Sequence, residues 1–427
     1  MKKHSFLFCF IVAFFSCSRQ HPFMEKQLLF KPDSILKRFY RGPEMVISKQ
    51  GTALMFCDER LYRNVDEAKK NVVMRRSFDN GKTWSEREVV LSDTNIHISG
   101  GLSSALCDQE TGEIILLCSR GIVILSEDID KWMQKCRKAK PLRYWPEKWA
   151  HENSSASDSL AKELVPGFKS EKFLLISKDE GNTWIREAYK ITSPVNPVTG
   201  DTMKFGPQFT GIQLTKGIHK GRLIFPGRGY SRGGVFHLFA YSHNYVAYSD
   251  DHGRTWIPGG LAQNGTGEAC VVELSDGSVY LNSRNESMRC RGYRAFDISC
   301  DGGLSFIKSG YDTMLIEPHC HASITRYAFS GVFENKIVLF ANPAVKSNTN
   351  SHYDGKARRN MTIRASYDDC KTWPVSKLIE SGPSAYSSMV VAKDRSIMLV
   401  YESSDKQEDP HGIINVARMN LEWIEKK

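Results

Sequence analysis

The chain has 427 residues, 41% apolar and 25% charged, which excludes a long disordered tract and a polytopic membrane protein. Its formal charge is +10, but the 58 Lys and Arg are scattered without a run of five. Nucleic acid is therefore disfavoured, and an anionic membrane face or an acidic small substrate fits better.

The chain opens with Lys2 and Lys3, an apolar run from Phe6 to Phe15, and then Ser16-Cys17-Ser18-Arg19. This is the pattern of an export signal, and the run is too short to cross a bilayer as a stable helix. Residues 1–16 are expected to be removed. Cys17 then stands where a bacterial lipoprotein signal places its lipidated cysteine, with residues 17–33 as a linker. These features predict an exported protein, periplasmic or at the cell surface, tethered by lipid to the outer membrane. No other membrane contact is expected.

From residue 77 onward one short pattern recurs, Ser-x-Asp-x-Gly-x-Thr-Trp. It appears at Ser77–Trp84, Ser177–Trp184 and Ser249–Trp256, with a degenerate copy at Ser299–Phe306 and a copy at Ser366–Trp373 in which Cys370 replaces the glycine. Such a pattern suits a tight hairpin. The Asp accepts hydrogen bonds from its own turn, the Gly supplies a positive φ, and the Trp folds back into the core. Successive copies begin 100, 72, 50 and 67 residues apart, so each repeat is larger than the motif and carries insertions. Strand-like runs flank the copies, and units of this size with periodic aromatics predict an all-β fold, a six-bladed β-propeller over residues 34–425. The polar stretch around 136–170 reads as an insertion with a helix around Ser159–Leu164.

The nine cysteines beyond residue 17 contain no C-x-x-C pair and sit mostly in apolar runs, so buried free thiols are expected. His319-Cys320-His321 offers at most two ligands on one face of a strand, so it reads as structural, with no metal and no cofactor.

The repeated motif is the Asp box, and with the segments below the chain resembles the exo-sialidases (neuraminidases, glycoside hydrolase family 33). Asp boxes occur on propellers of unrelated roles, so the resemblance in function rests on other residues. A sialoside carries a carboxylate on its anomeric carbon. Guanidinium groups bind it in bidentate geometry, and it repels a carboxylate nucleophile, so a Tyr activated by a base serves instead. In Phe39-Tyr40-Arg41-Gly42-Pro43, Arg41 matches the first carboxylate-binding arginine, with Gly42 where the family carries Ile. Arg60 matches an accessory arginine at the same pocket. Asp66 matches the acid/base aspartate, with Glu67 beside it as the alternative. Glu268, in Gly265-Thr266-Gly267-Glu268, matches the base, and Arg284, in Asn282-Ser283-Arg284-Asn285, the second arginine. Arg358 takes the third position, with Arg359 its neighbour facing the other way in a strand. Tyr386, in Ser384-Ala385-Tyr386-Ser387-Ser388, matches the nucleophile. Glu402 matches the carboxylate that braces the first arginine.

The resemblance implies release of terminal sialic acid from sialylated glycoconjugates with retention. Alternatives on the same fold are a trans-sialidase, a hydrolase of deaminated sialic acid, and a non-catalytic glycan-binding propeller. The insertion and the Gly227-Arg228-Gly229-Tyr230 loop are candidates for setting linkage preference.

Overall fold

A computed structural model describes residues 21–135, 154–197, 200–203, 206–230, 242–287, 290–328, 336–346, 355–407 and 409–426. The signal, Cys17 and residues 136–153 lie outside the described residues. The first strand, β1 (Met24–Phe30), falls in the stretch expected to be a linker and instead belongs to the fold.

Four antiparallel sheets of four strands follow in chain order. The first holds β2 (Arg38–Ile47), β3 (Ala53–Leu61), β4 (Lys69–Ser77) and β5 (Glu88–Leu91). The second holds β6 (Ile98–Cys107), β7 (Ile114–Ile122), β8 (Glu171–Ser177) and β9 (Ile185–Ala188). Between β7 and β8 lie helices α1 (Ser126–Lys135) and α2 (Ser154–Leu164). The third holds β10 (Ile212–Gln213), β11 (Leu223–Tyr230), β12 (Ser242–Ser249) and β13 (Ile257–Asn264). The fourth holds β14 (Thr266–Glu273), β15 (Val279–Asn285), β16 (Tyr293–Ser299) and β17 (Lys308–Ile316).

The remaining strands are β18 (Ser323–Arg326), β19 (Val338–Pro343), β20 (Arg359–Ser366), β21 (Val375–Val391), β22 (Ile397–Ser403) and β23 (Ile413–Met419). With β1 they form one seven-stranded sheet, so the described strands make five sheets where the repeats predicted six blades. The long β21 joins its two parts: residues 375–383 pair with β20 and residues 384–391 with β22. A short helix, α3 (Leu421–Glu425), ends the fold.

The sheets stand face to face around an axis, as in a propeller. β7 shows why the sequence does this. Ile114 to Cys118 is an unbroken apolar run, as expected for a strand covered on both faces. Ile114, Leu116 and Cys118 pack with Leu54, Phe56 and Met74 of the first sheet. Their neighbours Ile115 and Leu117 pack with Leu223, Phe225 and Tyr245 of the third. Alternation along one strand thus glues three sheets. An axial cavity of about 500 Å³ touches six inner strands, through Met45, Cys107, Ile212, Val271, Ile324 and Met389.

In each four-stranded sheet the Asp box closes the turn between the third and fourth strands, and the copy at Ser366 closes the turn between β20 and β21. In the first, Ser77 Oγ donates to Asp79 Oδ1 at 2.9 Å and accepts from Gly81 N at 2.8 Å. Thr83 donates to Asp79 through both its N and its Oγ1. The degenerate copy keeps the pattern, with Ser305 in place of Thr. So does the copy without glycine, where Cys370 takes a φ of 64°.

The turn glycines face the preceding sheet. A Cβ on Gly181 would lie 2.8 Å from Leu54, one on Gly253 2.6 Å from Ile115, and one on Gly303 2.5 Å from Val246. The box is therefore a clasp between sheets as well as a turn. Register then fixes which end of the barrel-like ring is which. Leu61 pairs with Lys69 at one end of β3 and β4, and Ala53 with Ser77 at the other. The boxes occupy the Ser77 end, and Arg60 lies at the opposite one.

Gly253→Ala and Gly167→Ala separate the two demands on glycine. Gly167 has a φ of +76° with open space around it, whereas Gly253 has a φ of +81° and Ile115 in the way. Gly167→Ala should cost about 1 kcal/mol of backbone strain. Gly253→Ala should cost a further ~1–3 kcal/mol of overpacking, read as a lower urea midpoint.

Candidate active site

At the end away from the boxes, strands of different sheets bring the expected residues together. Glu268 lies near the start of β14 and Arg284 near the end of the adjacent β15, so an antiparallel pair carries both. Tyr386 sits in the second half of β21. Its hydroxyl donates a short hydrogen bond to Glu268 Oε1. Arg284 Nη1 donates to Glu268 Oε2 at 3.0 Å. Arg358 places its guanidinium carbon 5.7 Å from the centre of the Tyr386 ring and donates to the His319 carbonyl at 2.6 Å. Arg359 instead turns outward to Gln407. The alternation of a strand edge has put Arg358 in the pocket and its neighbour on the surface.

A second group faces the first. Asp66 Oδ1 lies 2.8 Å from Arg60 Nη2 and 3.7 Å from Arg41 Nη1. Arg41 Nε lies 3.6 Å from Glu402, which also accepts from Gly42 N at 2.7 Å. Gly42, at a φ of +65°, aims its N–H at that carboxylate. Glu402 is bonded on its other side to Nδ1 of buried His411. Because a carboxylate only accepts, that nitrogen carries the proton. The His411 ring meets Tyr386 edge-on at 6.5 Å and joins the two groups.

Electrostatics set the protonation states. Burial favours the neutral form of Glu268, but the Arg284 and Arg228 guanidiniums and the Tyr386 hydroxyl outweigh it and hold the carboxyl well below the usual range. Burial and the Glu268 charge push the Tyr386 hydroxyl well up, against Arg358 and Arg284. Partial burial also favours the neutral form of Asp66. Arg60, Arg41 and Lys70 prevail there and hold it low, although 73% of its side chain is open to water. Burial favours neutral Glu402 too, yet His411 and Arg41 bring it down to about 2.

Several neighbours escaped the sequence. Phe209 stacks on His321 at 3.6 Å, and both rings pack toward Tyr386. His321 is thus part of the pocket floor, kept neutral because burial pushes it down to about 3. Arg228, expected in a loop that sets linkage preference, lies within β11 with only 13% of its side chain exposed, 3.6 Å from buried Glu286. The Arg284-x-Glu286 spacing, two residues along a strand and so on one face, was the available signal. Of the described cysteines, six are buried, while Cys290 and Cys300 are exposed, against the expectation of burial.

A ring of sheets clasped by Asp boxes, with a tyrosine, a carboxylate and arginines at one end of the axis, defines a propeller-like protein with an arginine-rich polar pocket. Residues 144–399 match the BNR repeat-like domain, and the chain belongs to that family, in the Asp-box group that includes the sialidases it resembles. It is 31% identical over 390 residues to a sialidase of Micromonospora viridifaciens, covering 90% of this chain and 52% of that one. It is 27% identical over 373 residues to a sialidase of Bacteroides fragilis, covering 86% and 60%. The chain thus spans about half to three-fifths of the length of these relatives. Sialidase-2 of Cricetulus griseus is 25% identical over 392 residues, covering 86% and 88%. Among solved structures, the fold is shared with Hadza microbial sialidase Hz136 (TM-score 0.64, 23% identity, 90% of this chain and 66% of that one). It is shared also with the intramolecular trans-sialidase of Ruminococcus gnavus (TM-score 0.65, 20% identity, 93% and 98%).

The Glu402 environment predicts an acid limb of stability. Its folded carboxyl titrates at about 2 against 4.5 for an ordinary one, so the stabilisation is complete above 4.5 and lost as pH falls toward 2. Glu402→Gln should flatten that acid limb. Thermal melts of both proteins between pH 2 and 7 measure it, and parallel curves would contradict it.

Proposed function

We propose that the chain is an exo-α-sialidase that hydrolyses terminal sialic acid from glycoconjugates with retention at the anomeric carbon. The observation that carries this reading is the Tyr386 hydroxyl held on Glu268 beside Arg284 and Arg358.

Arg41, Arg284 and Arg358 clamp the substrate carboxylate. Its charge bars a carboxylate nucleophile, whereas Tyr386 stays neutral until attack. Glu268 then takes the phenol proton as Tyr386 Oη bonds to the anomeric carbon and the glycosidic bond breaks. Asp66 protonates the leaving oxygen. In the second half, Asp66 removes a proton from water, which displaces Tyr386, and the phenolate recovers its proton from Glu268. Asp66 must be protonated to act first. In the free protein Arg60 and Arg41 hold it ionised. A substrate carboxylate on Arg41 offsets that attraction and adds a negative charge nearby, so binding itself raises Asp66 toward the acid it must be. No cofactor takes part in this scheme.

The seven-stranded sheet is best taken as two four-stranded blades sharing β21, which gives six blades in all. This count is supported by the six inner strands on the axial cavity. Export under residues 1–16 and lipidation of Cys17 complete the proposal. Cys17→Ser should move the protein from the membrane pellet to the soluble fraction, and an unchanged distribution would refute the anchor.

Activity is tested by release of 4-methylumbelliferone from its α-sialoside, by the chain from residue 18 onward beside Tyr386→Phe. Cleavage by the first and a loss of at least ~100-fold in the second are expected. Equal cleavage by both would remove Tyr386 as nucleophile, and no cleavage by the folded wild type would end the sialidase reading. Lactose as competing acceptor separates hydrolysis from transfer.

A further inference from the structure

Arg228 and Glu286 stand beside the base and take no part in the steps above. Glu286, just past β15, has a side chain wholly shielded from water. Its Oε1 lies 3.1 Å from Arg284 Nε and 3.6 Å from Arg228 Nη2, so one carboxylate faces guanidiniums from two sheets. The chain next to the base is shaped around it. A Cβ on Gly267 would fall 2.3 Å from Glu286 Oε1, so the residue before Glu268 has to be glycine for this carboxylate to sit there. Two shielded ionic groups drawn this close to a third are costly to bury, and the arrangement persists only if the geometry is well matched.

We propose that Arg228 and Glu286 are positioning residues for the reaction: Glu286 bridges the two guanidiniums and fixes Arg284 against Glu268, and Arg228 gives Glu268 a second positive neighbour from the adjacent sheet. The inference rests on the sialidase reading above. Glu268 is faced by Arg284 of β15, Arg228 of β11, Tyr386 of β21, His321 and Cys320 ahead of β18, and Arg358 ahead of β20. Burial keeps His321 neutral and pushes the Cys320 thiol up to about 12, so among these groups the guanidiniums set the local charge. The sign of the effect follows. Glu268 must be ionised to take the Tyr386 proton, and activity is lost as pH falls through its titration. Arg228 holds that titration low, so removing it moves the acid limb of kcat/KM to higher pH. Removing Glu286 has the opposite electrostatic sign, because it leaves both guanidiniums facing Glu268 without their shared counter-charge.

The test is the pH profile of kcat/KM, with kcat and KM resolved, for wild type, Arg228→Gln, Arg228→Lys and Glu286→Gln on the fluorogenic sialoside. Arg228→Gln should shift the acid limb up by at least about one pH unit. Arg228→Lys keeps the charge but not the planar guanidinium that faces Glu286 at 3.6 Å, so its limb should stay while KM rises several-fold. Glu286→Gln should raise KM with the limb unmoved or lower. The proposal is overturned by a uniform loss at every pH in Arg228→Gln, by an unchanged KM in Arg228→Lys, or by an upward limb in Glu286→Gln. The last two remain decisive if Arg228→Gln fails to fold. An inactive wild type would sink the sialidase reading first, and this inference with it, and is distinguishable from an active wild type whose variants keep its profile.

Discussion

Gathering several guanidiniums around one pocket is the constraint to which the rest of this protein answers. Like charges repel, and burial strips away the water that would screen them. Each is therefore met by a carboxylate or a carbonyl: Arg41 by Glu402 and Asp66, Arg60 by Asp66, Arg284 by Glu268 and Glu286, Arg228 by Glu286, Arg358 by the His319 carbonyl. The named set holds five guanidiniums and four carboxylates, with His321 kept neutral. A ligand with a single carboxylate makes that set even. Among these named groups guanidiniums outnumber carboxylates, which suits the anionic ligand proposed above.

Such a set must be held rigidly, and the ring supplies the rigidity from the opposite end. The pocket residues come from separate sheets, so their distances depend on how those sheets seat against each other. Apolar alternation gives the contact, as in β7, but apolar contact alone permits sliding. The Asp-box turns resist that by pressing glycine backbones against the preceding sheet and by hydrogen bonds across the seam. Arg76 donates to the Glu180 carbonyl and Arg222 to the Gly302 carbonyl, each from the sheet before. Far from the chemistry, the boxes help determine whether Arg284 and Arg228 meet over Glu286.

What the sequence disclosed follows from how local each signal is. The box is a closed circuit within seven residues, so five copies announced the architecture, even where Cys370 or Phe306 broke the pattern. Glu268 and Arg284 were legible because a hairpin joins them, and Arg358 because its partner in the strand faces outward. Arg228 was placed wrongly because its partner Glu286 lies 58 residues on, in another sheet. Helix α1 passed unnoticed although Asp128 accepts from Leu125 N, an ordinary start signal. In sequence β1 reads as a linker because an edge strand with charged residues shows little alternation, and its burial comes from a partner at the far end of the chain.

That pairing has a consequence for how the protein is made. Met24 lies opposite Met419, so β1, the first of the described strands, is bonded to β23, the last of them. The four early sheets can form in turn, each from neighbouring segments. The seam must wait for β23, with β1 until then an unpaired edge open to wrong partners. A chain halted after Ser403 would already contain Arg41, Asp66, Glu268, Arg284, Arg358, Tyr386 and Glu402. It would lack the strand that shuts the circle. Its pocket residues would all be present, yet the ring that spaces them would stay open until β23 arrived.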